Sequence, residues 1–194
     1  MRPRTATSSC LGALATLALG VSGCIQAAVS AGQPTAMERQ LLGAYEELDD
    51  ELVLASSVRG DDALAAVPQA SLRQLALRAR ALQRFNEDDV LELKDGGCLV
   101  ETLAATVAAR GCGLVERDPA TARRAARVLE EENRARGVLM RWAAHEVARR
   151  DGRAVPSPEE LAEVRAAYSR LVREAAAPGH LVEVAPGDVR PIQR

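Results

Sequence analysis

Four aromatic side chains stand in 194 residues: Tyr45, Phe85, Trp142 and Tyr168. A core without aromatics has to be assembled from Leu, Val and Ala. Alanine-rich windows with interspersed leucine favour helix. Strand formers gather in only two short stretches. The expected class is therefore mainly α: a small helical domain, with a short extended or hairpin region around 98–116 and a β-hairpin as an option at the C-terminus.

The first 23 residues have the three parts of an export signal. Arg2 and Arg4 form a positive start, Leu11 to Val21 an apolar run, and Ser22-Gly23 a small-residue cut site. The apolar run is short of the roughly 20 residues that span a bilayer. Val21-Ser22-Gly23-Cys24 resembles the lipobox of bacterial lipoprotein precursors. That resemblance implies diacylglycerol on the Cys24 sulfur, cleavage before Cys24, and a lipid-anchored protein of the cell envelope. Two or more acyl chains anchor stably. Ile25 follows where Asp would signal retention, so the outer membrane, facing the periplasm, is expected. An ordinary signal peptide cut near Ala27-Ala28 is the alternative.

About 170 residues then remain, enough for one core. Basic and acidic side chains number 25 and 27. The signal removes Arg2 and Arg4 and no acid, leaving a formal charge of about −4. No basic excess exists to neutralise phosphates, which argues against nucleic acid as a partner.

Residues 25–33 read as a tether, and Pro34-Thr35 opens a helix. Leu41, Leu42, Tyr45, Leu48, Leu52 and Ala55 recur at helical spacing on its apolar face. The acids from Glu46 to Glu51 read as a solvated face. Arg59-Gly60-Asp61-Asp62 reads as a helix end and polar turn rather than an adhesion triplet, and 63–68 as a linker. A second helix is expected from Gln69 to Arg84, with Leu72, Leu75, Ala76, Ala79 and Leu82 inward. Asn86 is the expected N-cap of a short helix over 87–95 that stops at Gly96-Gly97. Residues 98–116 show no helical stripe, although a helix over 101–109 is the alternative.

Asp118 as N-cap and Pro119 as first helical residue open the longest helix, 119–150. Its expected apolar stripe is Ala122, Ala125, Leu129, Met140, Ala143 and Val147. Ser157-Pro158-Glu159-Glu160 forms a capping box for the last helix, with Leu161, Val164, Ala167, Tyr168 and Leu171 inward. His180–Ala185 alternates weakly like a strand, Pro186-Gly187-Asp188 turns, and Val189–Ile192 can pair back.

Cys98 and Cys112 are the two cysteines left once Cys10 leaves with the signal and Cys24 takes lipid. An even pair in an oxidising compartment suggests a disulfide, closing a loop of about 15 residues for roughly 3 kcal/mol. Two free, buried thiols are the alternative. Asn133 and Arg136 fall on the apolar stripe of the long helix. Buried polar groups need partners, and Glu101 is the expected one, in a structural contact. A rolled helix exposing both is the bland alternative. His145-Glu146 begins like a zinc helix, but Arg149 stands where the second histidine belongs. No metal, no cofactor and no catalytic residue is expected.

Four segments, placed on these elements, resemble the YdbL-like family of small bacterial envelope proteins. They are Phe85-Asn86 with Asp88-Asp89 and Lys94-Asp95-Gly96-Gly97; Leu99-Val100-Glu101-Thr102; Glu132-Asn133 with Arg136; and Pro178-Gly179-His180-Leu181. The resemblance runs from about Arg84 to Gly187. Val100 replaces the family's glycine before the glutamate, and Ala105-Thr106 its glycine-tyrosine. The resemblance implies a non-enzymatic role: an accessory or chaperone-like factor for AsmA-like proteins that move lipid between membranes. Two alternatives are a small-ligand or lipid-binding lipoprotein and an enzyme acting on the cell wall.

Overall fold

The computed structural model describes residues 33–57 and 71–193. The signal, Cys24, most of the tether, the Arg-Gly-Asp turn and the linker all lie outside those residues. The fold is mainly α, with six helices and a four-stranded mixed sheet.

Helix α1 (Ala36–Ser57) opens on a box the sequence shows only as Pro34-Thr35. The Thr35 hydroxyl accepts from the Glu38 N–H at 3.2 Å, and the Glu38 carboxylate accepts from the Thr35 N–H at 2.7 Å. Its buried face is Met37, Leu41, Ala44 and Leu48. Leu42, expected inside, is exposed. The face turned inward lies one residue either side of the expected line, where α6 covers it.

Helix α2 (Leu72–Phe85) starts at a capping box of Ser71 and Gln74, three residues after the expected start. Ala76 and Ala79 are buried, while Leu75 is exposed. Helix α3 (Glu87–Asp95) has the expected bounds. Asn86 stands at its N-cap position without capping, because its amide donates to Glu131 at 2.9 Å.

Strands β1 (Leu99–Glu101) and β2 (Val107–Ala109) form an antiparallel hairpin. The extended region then ends early: residues at its far end wind into the short helix α4 (Gly113–Arg117). Helix α5 (Pro119–Arg150) runs over the expected span, with Asp118 accepting from the Ala120 and Thr121 N–H groups. Helix α6 (Pro158–Glu174) carries the expected capping box of Ser157 and Glu160. Strands β3 (Leu181–Ala185) and β4 (Asp188–Pro191) form the second hairpin, with Gly187 at φ +77° in the turn.

The two hairpins join. β1 pairs with β3 in parallel, giving the order β2-β1-β3-β4. Nothing local in the sequence marks that pairing, since the strands are separated by α5 and α6.

The α5 stripe is as expected at Met140 and Ala143, which are buried, and departs from expectation in the first half of the helix. Its buried residues include Val128, Glu132, Ala135, Arg136, Leu139 and Trp142. Ala122, Ala125 and Leu129 are half-buried. The helix is flanked by α2 and α6 and also by the sheet, so its covered arc is wider than one seam and shifted from the apolar line. The larger core lies where α1, α2, α5 and α6 meet, around Leu41, Leu48, Leu139, Trp142 and Val164. A smaller one, around Leu93, Leu99 and Val128, includes both disulfide cysteines.

Each sheet edge is interrupted at one position. Thr106 and Arg110 bond toward β1 through the Thr106 carbonyl and the Arg110 N–H, so by alternation Val107 turns its backbone groups outward. The Asn133 side chain takes both: its Oδ1 accepts from the Val107 N–H and its Nδ2 donates to the Val107 carbonyl, each at 2.9 Å. On β4, Ile192 bonds inward to Gly179 and His180. Pro191 therefore faces outward, and it has no N–H to offer.

Candidate functional site

The site grows from Glu101, the last residue of β1. Alternation along the strand turns Leu99 and Glu101 to the same face, toward α5. Leu99 joins the smaller core. Glu101 is 1% exposed, and a buried carboxylate needs charge-assisted partners.

It has two. Arg136 on α5 donates from Nη1 to Oε2 at 2.6 Å and from Nη2 to Oε1 at 2.9 Å. Lys94, near the end of α3, places Nζ 2.6 Å from Oε1. Arg136 is itself 3% exposed. Its Nε donates to Glu132 Oε1 at 2.7 Å, one turn back on α5. Gln83 on α2 donates to the same Glu132 oxygen at 3.0 Å, and the guanidinium lies 5.5 Å from the centre of the Tyr168 ring.

Burial works to raise the Glu101 carboxyl, but the bonds and charge of Arg136, and then Lys94, outweigh it and hold the group below its ordinary value. For Arg136 burial works against the charge; Glu101, Tyr168 and Glu132 reverse that and hold the guanidinium well above its usual range. Both groups are charged.

Of the expected trio, Glu101 and Arg136 are in direct contact, whereas Asn133 is engaged with Val107 instead. Lys94 and Glu132 complete the cluster and were missed by sequence reasoning. The signal for Lys94 was its being the one lysine in the chain. Cys98 and Cys112 are bonded, with Cα atoms 5.1 Å apart. The link ties the start of β1 to the N-terminus of α4. Cys24 lies outside the described residues.

This cluster floors a cleft of about 540 Å3 between α2 and α3 on one side and α6 on the other, within the size range of small-molecule sites. Its apolar lining comes from Val90 and Leu91 of α3 and, on the other side, Val172 of α6 with Ala176. Arg80, Arg84 and Glu87 line the α2–α3 side as well. Arg80 grips Asp49 of α1 through both carboxylate oxygens at 2.7 Å, and Arg84 approaches Asp49 only to 3.8 Å. His180 closes the far end. Its Nδ1 accepts from the Ala177 N–H at 3.2 Å, so Nε2 carries the hydrogen it shares with Asp95 at 2.7 Å. Lys94, Glu101, Glu132 with Arg136, and His180 thus contribute to one neighbourhood.

Among the described residues, no group of three or more His, Cys, Asp or Glu is placed to hold a metal ion, and no helix is long and apolar enough to cross a membrane. Comparison of the chain with protein-family models, curated proteins and solved structures returns no match.

Proposed function

We propose that this chain is a lipid-anchored protein of the bacterial envelope, held through Cys24, whose helical domain is a non-enzymatic accessory or chaperone-like factor that binds other envelope proteins. The AsmA-like lipid-transport machinery is the partner class the family resemblance implies.

The observation that carries the reading is Phe85. It is 84% exposed at the end of α2. In a chain with four aromatic side chains, Trp142 and Tyr168 are buried and Tyr45 half-buried, yet the most apolar of the four is left in water. Leu91, on the following helix, is exposed beside the cleft. Aromatic side chains are favoured anchors at protein interfaces. Three of the four acids lining the cleft also support binding over chemistry: Glu101, Glu132 and Asp49 are each engaged by a cation, an arrangement that holds structure.

Crosslinking and affinity capture from native membranes would test it, comparing wild type, Cys24→Ala and Phe85→Ser. Wild type should recover an AsmA-like protein, Cys24→Ala should lose it, and Phe85→Ser should recover less. A membrane-located wild type that recovers none overturns the reading.

A further inference from the structure

The outer face of α5 carries a line of arginines. At about 100° of turn per residue, Arg123, Arg127, Glu130, Arg134 and Arg141 fall within about 60° of one another. They lie roughly opposite Glu132 and Leu139, the middle of the buried face. All five are exposed. Glu130 is the one acid among them, and it pairs with Arg134. Arg123, Arg127 and Arg141 have no ionic or hydrogen-bonding partner among the described residues. The acids on the shoulder toward α3 are engaged elsewhere: Asp89 and Glu92 with Arg124, and Glu131 with the Asn86 amide. Four arginines against one glutamate leave the stripe strongly positive.

The rest of the molecule has the opposite balance. Glu46, Glu47 and Asp50 are exposed on α1, and Glu159, Glu163 and Glu174 on α6. An acidic body with one basic face is turned by an anionic surface until that face meets it. From Arg123 to Arg141 the stripe runs about 27 Å, too long for one small ligand. It has no aromatic side chain to anchor a protein partner or to stack on a base. A straight, purely ionic stripe suits a plane of charged headgroups. We propose that this face of α5 rests on an anionic lipid surface, with Arg123, Arg127 and Arg141 against the phosphates. The contact needs no acyl chain on Cys24, and in a lipid-anchored chain it fixes which way the domain faces.

The test uses residues 24–194 with Cys24→Ser, which lack the export signal and any attached lipid and keep the compact unit that starts at Pro34. Cosedimentation with phosphatidylcholine vesicles, with and without phosphatidylglycerol, measures the partition. Binding is expected only with phosphatidylglycerol, and is lost in molar salt, where charges are screened beyond about 3 Å. Arg123→Gln, Arg127→Gln and Arg141→Gln should each lower the partition about fivefold, the scale of one basic side chain at an anionic surface. Glutamine is a good helix former, so α5 should persist in all three. Arg165→Gln makes the same change of net charge at an exposed position of α6, and should leave binding unchanged. Equal binding to neutral vesicles, no binding at low salt, or the same loss in Arg165→Gln as in Arg127→Gln overturns the proposal. Capture of polyglutamate without capture of vesicles also overturns it, and marks the face as a site for an acidic protein.

Discussion

Arg136 meets Glu101 end-on across 35 residues of chain, each terminal nitrogen on its own carboxylate oxygen. The pair joins the longest helix to the first strand. Removing one member leaves the other charged and buried, which typically costs about 3–5 kcal/mol. Arg136→Ala and Glu101→Gln should therefore each lower the melting temperature by about 10 °C. Arg136→Lys, which cannot reproduce the two-pronged geometry, should fall between. Calorimetry on the three variants checks this; an unchanged midpoint in Arg136→Ala means the contact contributes nothing.

Asn133→Ala should strip both partners from the outward backbone of Val107. Val107 is buried, and unsatisfied buried groups cost about 1–3 kcal/mol each. The Val107 amide should become one of the faster-exchanging strand amides in hydrogen exchange. Asn133→Asp keeps the acceptor and loses the donor, so it should protect the amide and still lower stability.

Acid should unfold the chain through its paired carboxyls. Glu101 is held below its ordinary value of 4.5, and Arg153, with the Ser157 N–H, lowers Glu160 to about 2. A group depressed in the folded state contributes stability above its unfolded value and loses it as pH falls through the folded one. Stability should be level above pH 4.5 and decline from there toward about 2. Urea midpoints across that range should show it, and Glu160→Gln should flatten the decline.

Ala105 sits in the β1–β2 turn at φ +64°, fully buried. The left-handed conformation costs an L-residue about 1–2 kcal/mol. Ala105→Gly would relieve that and forfeit one buried methyl, worth about 0.8 kcal/mol. Its melting temperature should change by no more than about 3 °C. Ala105→Val, which adds a branched side chain at positive φ, should destabilise strongly.

Reduction, or Cys98→Ser with Cys112→Ser, should cost about 3 kcal/mol for a loop with separation 14. A urea titration with and without reductant measures it.

The local chemistry of this fold was readable. Asp118-Pro119 and Ser157-Pro158 mark helix starts by rules that act within four residues, and α5 and α6 begin there. What could not be read depends on packing. The parallel pairing of β1 with β3 is set by how α5 and α6 lie, and a three-residue strand such as β1 holds no register of its own. The first half of the α5 stripe is only half-buried, while Met140 and Ala143 further along are buried as the spacing predicts. The polar pair on that helix was visible as an anomaly, but Asn133 and Arg136 diverge in direction. Three residues apart on a helix, they point about 60° away from each other, which sends one to β2 and the other to Glu101. Lys94 was passed over because its partner lies across a glycine turn, in a strand the sequence could not place.

The interrupted sheet edges bear on life at a surface. A chain tethered by lipid, as proposed, diffuses in two dimensions at high local concentration. Neighbouring copies there meet repeatedly and with their tethers on the same side. An open strand edge under those conditions is an invitation to pair with the next molecule. With Asn133 seated on Val107 and Pro191 facing outward from β4, each edge offers a crowded neighbour only a short, interrupted ladder.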